Sequence, residues 1–363
     1  MVIESFDLPG QNCGEITLIG TAGGYGESIV VHLGDNNWIV VDSCKDPNTG
    51  ISLPLHYLTT IGVNVKSDVK MIICTHWHND HIGGLSQLLE ACLSSKFSFA
   101  PCTDLEKFRL FVGLDQRKDS SNRSSTEFYD CLKLSTERGN EIIRAFQDRI
   151  LLKLKPSGSS VISLSPSDAT LTAYDHEIST LIDEIRPERR VVIKSPNSKS
   201  VALLLCLGEH KAILGADLEV SVNDNEGWVN ILDSSQVIDK EKPASFFKVS
   251  HHGSSNGHID RIWNELLVKN PVAKLTTYNS SNLPRKVMLD VFLKTTKNLY
   301  ATAKAEVGKA KKRERSIEKA IKDYKPNLIE AKYSKGIIRS RILLDDPNAV
   351  WETKIHGSAY LIT

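Results

Sequence analysis

Nowhere in this 363-residue chain do two cysteines stand as C-x-x-C, and the seven present, at 13, 44, 74, 92, 102, 131 and 206, follow no regular framework. That excludes a disulfide-stapled small domain and a cysteine zinc ribbon, and reduced thiols are expected. Long apolar runs are missing too. The most apolar stretches, such as Val201 to Leu207, have strand length, whereas a bilayer span takes roughly 20 residues. The opening MVIESFDLPGQNCGEI has no basic segment leading into an apolar one, so neither a signal peptide nor a membrane contact is expected, and the cytoplasm is the expected compartment. Charge of one sign is also lacking: 45 Lys and Arg face 44 Asp and Glu, a formal balance of +1. No global field therefore draws nucleic acid or an anionic surface, and any polyanion contact must be local. With 40% hydrophobic and 25% charged residues, a disordered or collagen-like chain is excluded. No low-complexity linker or internal repeat interrupts residues 1–363, which read as a single domain.

What is present begins as a β meander. From Glu15 the chain reads ITLIG, a Gly-rich turn over 21–26, SIVVHLG, the turn Asp35-Asn36-Asn37, and WIVVDS. Residues 51–62 have helical spacing, VKMIICT over 69–75 is a continuous apolar run typical of a strand buried on both faces, and helical spacing resumes at 84–91. The segment between that strand and that helix is a loop at a strand's carboxyl end, where α/β folds build their sites. Residues 104–156 read as a charged, mostly helical insertion, which could wall or cover a site or simply decorate the surface. SVISLSP, SVALLLCLG, KAILGADL and SFFKVSHH follow as strands, with Gly208-Glu209-His210 joining the middle pair as a hairpin. The tail reads as AKLTTYN, a helix over 284–297, YATA, a basic helical segment over 304–325 and two last β runs.

The decisive string is Thr75-His76-Trp77-His78-Asn79-Asp80-His81-Ile82-Gly83-Gly84, three histidines and an aspartate within six positions of a loop leaving an apolar strand. Imidazole and carboxylate suit Zn²⁺, Mn²⁺ or Fe²⁺. Alternate residues leaving a strand can point one way, so His76 and His78 can chelate one ion while Asp80 and His81 turn toward a second. A chain with this histidine content meets H-x-H-x-D-H by accident in roughly one case in two thousand. Five of the 11 histidines lie in two places, this string and His251-His252. Trp77 is expected to pack beneath the loop, and His176 and His210 read as ordinary surface histidines.

H-x-H-x-D-H-I-G-G after a buried strand resembles the metallo-β-lactamase superfamily, as do Val41-Asp42-Ser43, Gly215-Ala216-Asp217 and Ser250-His251-His252-Gly253-Ser254. The L-G-x-D and K-V-x-H-H-G-S forms are most similar to the hydrolase domain of ComEC-type DNA-uptake proteins and to phosphorylcholine esterases. The resemblance implies an α/β fold, a four-layer αβ/βα sandwich, here with a helical insertion and a C-terminal β/helical extension. It also implies two divalent metal ions, Zn or Mn, with His76 and His78 on the first, Asp80, His81 and His252 on the second and Asp217 bridging both. His251 is then a proton donor or an alternative ligand, and Asp42 braces the metal loop. His252 is favoured over His251 as ligand because neighbours on an extended strand face opposite ways. One departure stands out: where many superfamily members carry a third histidine on the first ion, this chain has Ser195-Pro196-Asn197-Ser198-Lys199-Ser200. Asn197 could lend a weak carbonyl ligand there. The ComEC-like branch tends to have Asn at this place, and the absence counts against a true β-lactamase.

The function expected is therefore hydrolysis of a phosphodiester, in nucleic acid, a nucleotide or a similar molecule, by a metal-bound hydroxide that Asp80 and Asp217 orient, with His251 passing a proton to the leaving oxygen. Tyr278, Asn279 and Ser281 lie near the expected active face and could touch substrate or merely form a turn. Over 304–325, nine Lys and Arg stand against four acids, a stripe that could contact nucleic acid or be a solvated helix face. A different class of function, a non-catalytic metal-stabilised binding module or partner-recruiting subunit, would need no complete ligand set.

Overall fold

A computed structural model describes residues 6–21, 24, 26–100, 105–118, 123–139, 141–155, 157–183, 196–305, 316, 319 and 335–363. Two patterns in the sequence decide its layers. In WIVV and VKMIIC the residues alternate between two apolar environments. Ile39, Val41, Met71 and Ile73 enter one buried cluster, while Trp38, Val40, Val69, Ile72 and Cys74 enter another. In the later strands Leu203, Leu205 and Leu207 join the first of these clusters and Leu204 a third. A strand with apolar residues on both faces must be covered on both faces, so two sheets pack face to face and helices cover their outer sides.

The strands are β1 (Cys13–Thr21), β2 (Glu27–Leu33), β3 (Trp38–Val41), β4 (Val69–Cys74), β5 (Lys96–Phe99), β6 (Ile142–Arg144), β7 (Arg149–Lys153), β8 (Ser160–Ser163), β9 (Leu203–Leu207), β10 (His210–Leu214), β11 (Ala244–Lys248), β12 (Leu267–Leu275), β13 (Leu299–Ala301), β14 (Lys335–Leu343), β15 (Glu352–Gly357) and β16 (Tyr360–Leu361). One sheet has the order β15-β14-β1-β2-β3-β4-β5-β6 and the other β16-β13-β12-β11-β10-β9-β8-β7. In the first, β3 to β6 run parallel. In the second, β10 to β13 do. The carboxyl ends of β4, β10, β11 and β12 carry the loops that matter below. This mixed α/β arrangement of helices, sheet, sheet and helices is the αβ/βα sandwich expected.

The helices over Leu53–Thr60, Leu85–Ala91, Leu105–Lys118 and Arg123–Glu137 cover the first sheet, and those over Gly227–Ser234 and Lys286–Thr295 the second. The segment expected to be a helical insertion over 104–156 is helical only to Glu137. Ile142–Arg144 and Arg149–Lys153 become the outermost strands β6 and β7, because each finds a partner with a free edge, β5 and β8. A helical spacing says nothing about such an offer of hydrogen bonds. Strands β14 and β15 extend the first sheet and β16 the second. The basic segment over 304–325, with Lys311, Lys312 and Arg313, lies almost wholly outside the described residues, as does Cys102. The other six cysteines are free, and among the described residues no helix is long and apolar enough to cross a membrane.

The hairpin expected at Gly208 forms between β9 and β10. Gly208 sits there at φ +56° with its α-carbon so close to Leu344 that a Cβ would lie 2.1 Å from the Leu344 carbonyl oxygen. Gly208→Ala should therefore cost more than about 1 kcal/mol of stability, because the left-handed conformation and the clash add. Urea denaturation would show it as a lower midpoint.

Candidate metal centre

The loop after β4 begins at Thr75, and its first task is met by Asp42, directly after β3. Asp42 is buried at φ +58°. Its carboxylate accepts the Thr75 backbone N–H at 2.7 Å, the Thr75 hydroxyl at 2.7 Å and His81 Nδ1 at 2.8 Å. Burial pushes the Asp42 carboxyl up, against the opposing pull of His81. Thr75 Oγ1 also lies 3.0 Å from His76 Nδ1. A hydroxyl has one proton and gives it to Asp42, so His76 donates through Nδ1 and turns its Nε2 lone pair inward. His81 is fixed in the same sense directly by Asp42. Asp42 thus ties the loop after β4 at Thr75 and at His81.

Four expected residues converge: Asp80, His81, Asp217 and His252 bring one ligand atom each within 4.8 Å of one another. His252 Nε2 lies 3.2 Å from Asp80 Oδ2 and 3.4 Å from Asp217 Oδ2, and His81 Nε2 lies 3.4 Å from Asp217 Oδ1. On the other side His76 Nε2 is 3.9 Å from Asp217 Oδ2 and 3.1 Å from His78 Nδ1. Asp217 therefore stands between a His76–His78 pair and an Asp80–His81–His252 set. The electrostatics divide the same way. Burial, with His81 beside it, holds His76 well below the usual imidazole range, and burial lowers His78. For His81 and His252 burial opposes the charged form, but Asp217 and Asp80 outweigh it, pushing His81 well up and His252 to about 9. Burial is likewise outweighed at Asp80 and Asp217, whose carboxyls the two imidazoles hold below the usual range.

His81 Nε2, His252 Nε2 and Asp217 Oδ1 are buried and make no hydrogen bond. They meet one another and Asp80 only as ion pairs at 3.2–3.4 Å, and buried donors and acceptors matched no better than this are what a divalent cation would satisfy. The donor set, imidazole nitrogens and carboxylate oxygens, has the chemistry to match.

His251 does not enter the cluster. Its Nδ1 lies 3.0 Å from Asn256 Oδ1 and 3.2 Å from Glu219 Oε1, and its Nε2 lies 3.1 Å from Asn197 Nδ2. Asn197 also donates to Glu219 at 3.0 Å, while its own Oδ1 is buried without a hydrogen bond. The separation of the two histidines has a different cause from the strand alternation expected. Both sit in a tight turn after β11 with left-handed backbone, φ +47° and +52°. Ala216, ahead of Asp217, is also left-handed at φ +45°. Such non-glycine conformations cost of order 1–3 kcal/mol each and cluster at sites. Gly215 is required next to them, since a Cβ there would meet Ser250 Oγ at 2.1 Å.

Trp77 packs as expected, its ring 5.4 Å from Phe128 and 5.9 Å from Phe108 of the insertion helices. The insertion also grips the loop by polar contacts. Ser124 donates to Asn79 at 2.5 Å, and Glu127 accepts from Lys45 at 2.9 Å and from the Ser86 backbone at 2.9 Å. Tyr278 stacks on His252, centroids 5.1 Å apart at 19°. His176 is exposed, but His210 is buried, not a surface residue: its Nε2 faces the Leu343 and Asp346 carbonyls, which the C-terminal strands bring over it. Neither lies in the cluster. Sequence reasoning missed Glu27, Lys248, Thr276 and Glu219. The signal available was a charged residue at the end of each of two mainly apolar strands, Glu27 at the start of β2 and Lys248 at the end of β11.

A family model described as Metallo-beta-lactamase superfamily matches residues 22–93, which run from the turn after β1 through the histidine loop. Among solved structures the chain is similar to MEM-A1, a subclass B3 metallo-beta-lactamase isolated from a soil metagenome library, at 12% identity over 65% of this chain and 78% of that one, TM-score 0.34. It is also similar to Rm3 metallo-beta-lactamase, at 13% identity over 69% and 79%, TM-score 0.35. No curated protein matches the chain.

Proposed function

We propose that this chain, which carries the metallo-β-lactamase superfamily signature over residues 22–93 on a matching two-sheet fold, is a metal-dependent hydrolase with a dinuclear site that cleaves a phosphodiester. The observation that carries this reading is Asp217 standing between the His76–His78 pair and the Asp80–His81–His252 set, with three buried ligand atoms that make no hydrogen bond. His76, His78 and Asp217 would hold one divalent ion, Zn or Mn, and Asp80, His81, His252 and Asp217 the other. Together such ions lower the pKa of a water and neutralise charge on phosphoryl oxygens during in-line displacement.

The chain's own groups do the rest. Asp80 and Asp217, both held as carboxylates, orient the attacking water. His251 has Nδ1 on Glu219 and Asn256 and accepts the Asn197 amide at Nε2, so it would pass a proton to the leaving oxygen only after Asn197 releases Nε2. Asn197, where a third histidine would stand, ties His251 to Glu219 through its amide nitrogen, and its buried carbonyl oxygen, which makes no hydrogen bond, would be a weak ligand for the first ion. A phosphodiester is favoured over a lactam by that replacement and by the resemblance of the L-G-x-D and K-V-x-H-H-G-S segments to ComEC-type domains and phosphorylcholine esterases.

The test is metal content per chain by mass spectrometry together with Mn²⁺- and Zn²⁺-dependent cleavage of bis-p-nitrophenyl phosphate and of single-stranded DNA. About two ions per chain and diester cleavage are expected. Two ions with turnover of a lactam but no diester would overturn the substrate class, and metal-free, inactive protein would favour the non-catalytic binding module.

A further inference from the structure

Beneath the cluster lies a pair of charges to which the reaction above gives no part. Lys248 and Glu27 are each 1% exposed, with Lys248 Nζ 2.6 Å from Glu27 Oε1. The same ammonium donates to the Ala216 carbonyl at 2.9 Å and lies 3.9 Å from Asp217 Oδ1. The second oxygen of Glu27 accepts the Thr276 hydroxyl, and Thr276 Oγ1 lies 2.8 Å from His252 Nδ1.

Counting protons along this chain of groups gives it a direction. A carboxylate paired with an ammonium can only accept, so the single hydroxyl proton of Thr276 goes to Glu27. Thr276 must then accept from His252, and Nδ1 carries the proton. The ring nitrogen left for a ligand is Nε2, the one that faces Asp80 and Asp217. The other sheet repeats the order His76, Thr75, Asp42. Thr75 is the first residue past β4 and Thr276 the first past β12. The two relays differ in one respect, for only Glu27 is backed by a buried lysine that also reaches the residue before Asp217.

We propose that Lys248 and Glu27, acting through Thr276, are positioning residues that set His252 to present Nε2 to a divalent cation and hold Asp217 beside it through Ala216. This rests on the metal centre proposed above. A burial-only role would require none of these groups to be polar, and each could be met more cheaply by an apolar residue of similar volume.

The experiment titrates the metal-free full chain with Zn²⁺ alone against a chromophoric chelator, with thermal unfolding of the metal-free protein alongside. Thr276→Val keeps the volume and removes the hydroxyl. It should weaken one of the two bound ions by about 10–100-fold and leave the other nearly unchanged, while Thr276→Ser should restore the loss. The double variant Lys248→Met with Glu27→Gln removes both charges without orphaning either, and it should weaken that same ion most and the other by a smaller factor, because Asp217 belongs to both donor sets. It decides the matter should Thr276→Val fail to fold. Wild-type affinity for both ions in a folded variant would overturn the proposal, as would an equal loss of both. A wild-type chain that takes up no Zn²⁺ would overturn the metal centre itself.

Discussion

Joint replacement of His78 and Asp80 by alanine should leave a folded chain that hydrolyses nothing. The two residues belong to different halves of the cluster, His78 beside His76 and Asp80 beside His81 and His252, so their removal disables both donor sets at once. Neither is in the deepest layer: the Asp80 side chain keeps 12% of its surface and His78 is half-buried. The loss of apolar burial is accordingly slight, and the metal-free protein should melt within a few degrees of the wild type. Diester cleavage should fall to the uncatalysed background, and metal content from about two ions per chain toward none. Retained hydrolysis at reduced metal content would mean that the chemistry happens elsewhere on the molecule.

The opposite balance is expected for Phe128→Ala, the substitution with the largest effect on stability. Phe128 is 2% exposed and stands at the centre of an aromatic group, 5.1 Å from Phe99, 5.4 Å from Trp77 and 5.6 Å from Phe108. Truncating a buried phenylalanine removes its transfer energy and leaves a cavity, for a cost of about 3–5 kcal/mol. That is a large share of the roughly 5–15 kcal/mol a folded protein has. Urea denaturation should show a much lower midpoint, and because Trp77 lies between His76 and His78, metal affinity should fall with it. Leu110→Ala on the neighbouring helix, at a side chain 52% exposed, should change stability by no more than about 0.5 kcal/mol. Equal effects from the two would mean that the insertion does not brace the loop.

The uneven legibility of this site has a physical origin. His76, His78, Asp80 and His81 are legible because one loop carries them all, and a loop is continuous in sequence. Asp217 and His252 are separate from it, but each sits in a short segment whose own form is distinctive. Glu27 and Thr276 have no such neighbours, and Lys248 and Glu219, although they lie in or beside those segments, are not marked by them as part of the site. Each is one polar residue, and its meaning lies in contacts with residues up to 249 positions away, as between Glu27 and Thr276. No local spacing encodes that. The expected separation of His251 from His252 is present, yet strand alternation does not cause it, because both residues lie in a left-handed turn. Likewise the helical reading of 104–156 holds only for the helices over Leu105–Lys118 and Arg123–Glu137, whereas β6 and β7 exist because β5 and β8 have edges to fill.

Strand β1 is held on one side by β2, a neighbour in sequence, and on the other by β14, with Cys13 in register with Leu343. A ribosome adding about 5–20 residues per second delivers that second partner tens of seconds after the first strand has emerged. Until then one edge of β1 is open and the first sheet lacks its outer pair, so the nascent chain carries an unfinished template for strand addition. The late arrival of β14 means that the first sheet closes only after roughly 320 further residues have been made, with the slow kinetics that distant pairings impose.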